Sequence, residues 1–227
     1  MGETTVMSDA LDSERSAGYR YGAVLLCTST LLVFLIVAPS ADWTRAVALA
    51  LQALALLVAV ATSRERADVR RARAGLVAAV TVVVVTAVAS GAVPPWVAAA
   101  LGGLVGAAVP LAIVGGLVRS VRRHGVTLQA VAGAIAIYLQ LGMIFAWTIG
   151  VVARVDSAAY FEQGGDGTQA DRVYFSFTAL TTTGFGDFTP ASSIGRALAV
   201  VEMLTGQLYL VTVIGVLVGG LVASRHG

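Results

Sequence analysis

Six long apolar stretches run through this sequence, and its arginines collect in the gaps between them. A helix of about 20 apolar residues crosses a bilayer, because inside the helix every backbone N–H and C=O finds a partner. Stretches of that kind cover residues 21–37, 44–62, 73–92, 96–118, 126–153 and 191–223. Of the 227 residues 57% are hydrophobic and 12% charged, too apolar a balance for a water-facing surface. The expected fold class is therefore an all-α integral membrane protein with six transmembrane helices. Residues 154–190 are too polar to span.

All 15 basic residues are arginine, a bias that fits a GC-rich bacterial genome and hence a bacterial plasma membrane. Arg64, Arg66, Arg70, Arg71 and Arg73 separate spans two and three, and Arg119, Arg122 and Arg123 separate spans four and five. Arg15 and Arg20 precede the first span and Arg225 follows the last. With six spans these eleven fall on one side, leaving Arg45, Arg154, Arg172 and Arg196 on the other. Positive charge stays cytoplasmic, so both termini are expected inside and the 154–190 segment outside. Trp43 and Trp96 fall at outer ends, where indoles favour the interface. Residues 1–20 are polar and lack the basic start and apolar core of a signal peptide, and read as a cytoplasmic tail. The arginine clusters also suit anionic lipid headgroups at the cytoplasmic face, although orientation alone accounts for them. Nothing in this pattern points to nucleic acid.

Within the polar segment, Thr168-Gln169-Ala170-Asp171 has the form of a capping box, with Asp in the place of Glu. A short helix over 169–181 is expected to follow, carrying Tyr174, Phe175 and Phe177. Its C-terminal end would bring partial negative charge toward the membrane interior. Next comes Thr181-Thr182-Thr183-Gly184-Phe185-Gly186-Asp187. Glycines on both sides of one residue open backbone angles closed to other residues. Such a strand can turn successive carbonyl oxygens toward one line and replace the water around a cation. Thr189-Pro190 reads as an N-cap with proline at the first helical position, opening the last span.

The run from Tyr174 to Pro190 resembles the pore helix and selectivity filter of prokaryotic potassium channels of the pore-loop superfamily, with Thr182-Thr183-Gly184-Phe185-Gly186-Asp187 against the family's Thr-Val-Gly-Tyr-Gly-Asp. The resemblance covers roughly residue 126 to the end. It implies a re-entrant pore helix and filter between helices five and six. The implied pore domain comprises residues 126–227: outer helix 126–153, extracellular loop 154–168, pore helix 169–181, filter 182–187 and inner helix 190–223. A four-helix transmembrane domain (21–118) and a cytoplasmic linker (119–125) precede it. Backbone oxygens of Thr182, Thr183, Gly184 and Phe185 would coordinate potassium, the Thr182 hydroxyl adding the innermost site. Gly186 completes the run, and Asp187 would stand at the outer mouth with Asp156, Glu162, Asp166 and Asp171 nearby. One chain supplies a quarter of each ring, so a homotetramer is implied. Potassium is the permeant cargo, and no cofactor is expected. Thr183 and Phe185 depart from the family's Val and Tyr. They bear on selectivity, and make a weakly selective monovalent cation channel the alternative.

In the last span, Gly206 falls where the family carries a hinge glycine. Gln207, Leu210, Ile214 and Val218 recur below it at helical spacing, as a cavity lining and apolar gate or as lipid-facing side chains. Glu202 is the only acidic residue inside any span. It reads either as a proton-sensitive brace behind the filter, through Thr178 or Ser176 and with Tyr174 nearby, or as a carboxyl satisfied without a gating role. The fourth span carries no arginine between Trp96 and Val118, so no conventional voltage sensor is expected. The short tail after the last span leads to no expectation of a nucleotide- or calcium-sensing domain. His124 and His226 are isolated, and Cys27 is the single cysteine. Cys27 and Glu202 lie on different spans, so no catalytic centre is expected; a non-conducting regulatory subunit is the other rival.

Overall fold

The computed structural model describes residues 21–62, 67–155 and 159–223. The expected tail (1–20), Arg64, Arg66, Asp156, Arg225 and His226 lie outside them. The described residues are helical: α1 (Tyr21–Val37), α2 (Asp42–Thr62), α3 (Ala67–Ala89), α4 (Pro95–His124), α5 (Leu128–Val155), α6 (Gln169–Leu180), α7 (Ser193–Leu208) and α8 (Gly215–Ala223). A π-helical segment, Tyr209–Ile214, joins α7 to α8 in one continuous rod.

Four of these are long and apolar enough to cross a bilayer: Trp43–Thr62, Trp96–Arg123, Leu128–Val155 and Ser193–Gly220. Tyr21–Val37 and Ala74–Ala89 are shorter apolar helices. The architecture is that of a multi-pass membrane protein. α4 begins with proline at its first position, where the missing N–H costs nothing, and stops at Gly125, whose φ of 72° suits glycine.

α5 is the central post, packed against α1, α4 and α6. Its buried side includes Gly133, Ala134, Gly142, Ala146 and Gly150, which let neighbours approach closely. Tyr21 lies on Gly133. A Cβ on Gly142 would fall 2.7 Å from the Phe177 ring, and one on Gly102 of α4 2.8 Å from Trp147. A polar relay crosses this apolar interior. Gln52 Nε2 donates to Gln140 Oε1 at 2.9 Å, and Gln140 Nε2 to Thr28 Oγ1 at 3.4 Å, tying α1 and α2 to α5.

The start of the last span differs from expectation. Thr189-Pro190 does not open the helix; Ser192 is the N-cap, its Oγ accepting from Gly195 N at 3.1 Å. The preceding residues are taken by another partner. Glu162 N donates to Thr189 O at 2.9 Å and Ala191 N to Tyr160 O at 2.8 Å, pairing Pro190 with Phe161 in an antiparallel bridge. The inner helix thus begins at Ser193 and not at 190.

Candidate functional site

Thr168 caps α6 as the sequence indicates. Its Oγ1 accepts from Asp171 N at 3.2 Å, and Asp171 Oδ2 accepts from Thr168 N at 2.7 Å. The loop before it is held from within: Asp166 Oδ1 accepts from Tyr160 N, and Arg172 donates to the carbonyls of Asp166 and Gly167. Burial pushes the Arg172 guanidinium below its ordinary pKa, with Arg45 reinforcing the shift and Asp166 and Asp171 opposing it. Phe161, Phe175, Tyr160 and Phe188 stack edge to face above the bridge.

α6 ends at Leu180, and the chain reverses through the threonine-glycine run. Thr182 N donates to Ala179 O at 2.9 Å, while Thr183 N and Gly184 N both donate to Thr178 O at 2.9 and 3.1 Å. In a trans peptide the carbonyl points opposite to the next residue's N–H. The carbonyls of Thr181, Thr182 and Thr183 are therefore turned away from α6. Positive φ recurs at alternate residues, 57° at Thr182, 52° at Gly184 and 79° at Gly186, and not at Thr183 or Phe185. That alternation of hand stops neighbouring carbonyls from pointing to opposite sides, as they do along a β-strand. Glycine adopts such angles freely; threonine does so at a cost, which marks position 182. All of residues 181–187 are exposed on this single chain.

Side chains finish the turn. Thr183 Oγ1 lies 2.9 Å from Thr181 Oγ1, so the hydroxyl that departs from the family's valine has a partner. The Phe185 ring stacks on Tyr174, centroids 6.4 Å apart and 6° from parallel. A hydrogen bond to the Asp187 carboxylate raises the Tyr174 hydroxyl above its ordinary pKa. Tyr174 therefore meets the C-terminal end of the run through both Phe185 and Asp187. Gln207 Nε2 donates to Thr182 Oγ1 at 2.8 Å, linking α7 to the N-terminal end of the run.

Gly206 is buried, and a Cβ there would fall 1.9 Å from Leu180 O. It is a point of closest approach between α7 and the end of α6. Leu210 and Val218 are exposed, whereas Ile214 packs on the core shared with α5. The π-helical segment carries this change of face, because each of its turns takes one residue more than an α-helical turn.

Glu202 is fully buried and meets Ser176, whose Oγ also lies 2.6 Å from Gly142 O. A hydroxyl has one hydrogen, and a carbonyl can only accept. Ser176 Oγ thus turns its one hydrogen toward two acceptors, Gly142 O and the Glu202 carboxyl. The three groups join α5, α6 and α7 behind the glycine run. Thr178 takes no part through its hydroxyl, which donates to Phe175 O; its contribution is the carbonyl that holds Thr183 and Gly184. The Gln52–Gln140–Thr28 relay and the Gln207–Thr182 bond were not anticipated, though glutamine inside an apolar span is itself a signal.

Residues 133–222 match the model of the ion-channel family of membrane proteins. Over 73 residues the chain is 33% identical to the voltage-gated delayed rectifier potassium channel KCNH5 of Homo sapiens, covering 31% of this chain and 7% of that protein. Over 68 residues it is 37% identical to probable potassium channel protein 2 of Methanocaldococcus jannaschii, covering 30% of this chain and 16% of that one. The matched segment is thus a small part of these curated relatives. No solved structure matches the chain significantly.

Proposed function

We propose that this chain is the subunit of a homotetrameric potassium channel. Four copies of the Thr182–Asp187 run line one axis, and potassium passes down its electrochemical gradient. The observation that carries this reading is the turn itself: consecutive carbonyls directed away from α6, with the hand of the backbone alternating from Thr182 to Gly186. The oxygens of Thr182, Thr183, Gly184 and Phe185 replace the hydration shell of the ion, and the Thr182 hydroxyl, held by Gln207, adds the innermost ligand. A single chain leaves this run exposed and offers a quarter of each ring. The potassium channels among the relatives support the choice of ion.

The six-span arrangement follows if α1 and α3 cross beside the four longer spans. α1 has 17 residues, at the short end of what a bilayer accepts, about 17–25. The arginine distribution then puts both termini in the cytoplasm and α6 re-enters from outside. α4 has no arginine ladder, so the stimulus that opens the pore is not a conventional voltage sensor. Leu210 and Val218 line the lower pore, with Gly206 setting how closely α7 seats on α6.

Rubidium and sodium uptake into liposomes holding the purified protein tests the reading. Uptake of rubidium far above sodium, abolished by Gly184→Ala, is expected. Equal uptake of both ions would support the weakly selective alternative, and tightness to both would support a non-conducting subunit.

A further inference from the structure

A cavity of about 310 Å³ opens among α1, α2, α4, α5 and the start of α6. Its walls come from the end of α1, the start of α2, the start of α4, the C-terminal half of α5 and the first turn of α6. Leu35, Ala48 and Ala99 make an apolar side. Arg45, Arg154 and Arg172 make a basic one, with Asp166 the one carboxylate among the described lining residues.

Three further lining side chains carry polar atoms that are buried and unpartnered: the Trp147 indole nitrogen, the Thr44 hydroxyl and the Gln169 amide nitrogen. Trp147 is 3% exposed and Thr44 9%. All three can donate hydrogen bonds, and two of them can do nothing else. Buried donors without acceptors are costly and rare, and call for a guest that the protein itself does not supply. Arg45 also bears on Arg172 as a like charge.

The geometry points to a binding site for a phosphate-bearing head group with net negative charge, one per chain, wedged between α1, α2 and α4 on one side and α5 with the start of α6 on the other. In the proposed orientation the cavity lies at the level of the outer-leaflet head groups, with the exposed rings of Trp43 and Trp96 at the same height. The volume is near the lower limit for ligand cavities, about 300 Å³, enough for a head group whose tails stay in the bilayer along the apolar side. Because one wall is the first turn of α6, the guest fastens the helix that carries the glycine run. The inference does not depend on whether the pore conducts.

Delipidated full-length protein in detergent tests it, by native mass spectrometry and thermal unfolding with short-chain phosphatidylglycerol, short-chain phosphatidylcholine or inorganic phosphate. Arg172 is left in place, since it also holds the loop carbonyls. Phosphatidylglycerol is expected to bind saturably and raise Tm. Binding should weaken about tenfold or more in Arg45→Gln/Arg154→Gln, the size expected for lost charge-assisted contacts. Arg119→Gln/Arg122→Gln, at the opposite end of α4, should bind as the parent does. Inorganic phosphate binding with the same arginine dependence, and no further gain from the lipid, would keep the anion site and assign it to a soluble phosphate. Equal binding of phosphatidylcholine, binding unchanged in a monodisperse Arg45→Gln/Arg154→Gln protein, or no binding of either anion would overturn the proposal.

Discussion

Glu202 and Gly206 lie one helical turn apart on α7, and both are read best through what they touch on α5 and α6. Ser176 Oγ donates toward both the Glu202 carboxyl and Gly142 O, so the packing asks for a side-chain oxygen at position 202 that can accept from Ser176. Glu202→Gln retains such an oxygen and should keep assembly and ion preference. Glu202→Ala leaves Ser176 without one and opens a cavity, costing about 1–3 kcal/mol for the lost bond alone. Thermal unfolding of the purified assembly checks the pair; a Gln variant as damaged as the Ala variant would show that a charged carboxylate is needed. At Gly206 the obstacle is a carbonyl oxygen, which cannot rotate away as a side chain can. Gly206→Ala should cost about 1–3 kcal/mol, or about 2–4 °C in Tm for each kcal/mol at this chain length. A pure hinge role would instead change opening and leave Tm alone.

At the scale of elements, the parts of the fold fixed by near neighbours were readable and those fixed at long range were not. The capping box at Thr168 and Asp171 involves residues three apart, so the sequence contains both halves of the interaction. Pro190 departs from the helix-start pattern because its partner is Phe161, across a loop, and helix-start chemistry at 189–190 is equally good for an extended bridge. The π-helical segment left no trace in the pattern. It is held by bonds such as Gly215 N to Leu210 O and accompanied by a Tyr209 hydroxyl reaching Ala134 O on α5, which no periodicity encodes. For the same reason the stripe from Gln207 to Val218, drawn with α-helical spacing, splits between an exposed and a half-buried face. The run of threonines and glycines was legible as a special turn, yet the close approach that requires Gly206 was not. Helix-to-helix polar bonds belong to this scale too. Gln140→Leu strands the Gln52 amide in an apolar interior, whereas Gln52→Leu/Gln140→Leu removes both ends. The single variant should be the less stable, with a coupling of about 0.6–1.7 kcal/mol between the sites, in the range of hydrogen bonds between membrane helices. Unfolding of the two single variants and the double in detergent measures it.

For the whole molecule, α5 stands between two kinds of work. On one side it meets α1, α2 and α4 through small residues and the glutamine relay; on the other it meets α6 and α7, which present the glycine run. The exposed Val201, Leu204, Leu208 and Val211 of the last rod, and the exposed run itself, are surfaces that an assembly of four would enclose in part and bilayer lipid would cover elsewhere. In the proposed channel, main-chain oxygens of residues 182–185, contributed by several chains, hold dehydrated potassium. The most direct test is a structure of the purified assembly in rubidium or thallium salts, read by anomalous scattering. A column of peaks on a fourfold axis, each ringed by those oxygens, is expected. Peaks elsewhere, or a Thr182–Asp187 run lying away from any shared axis, would contradict it.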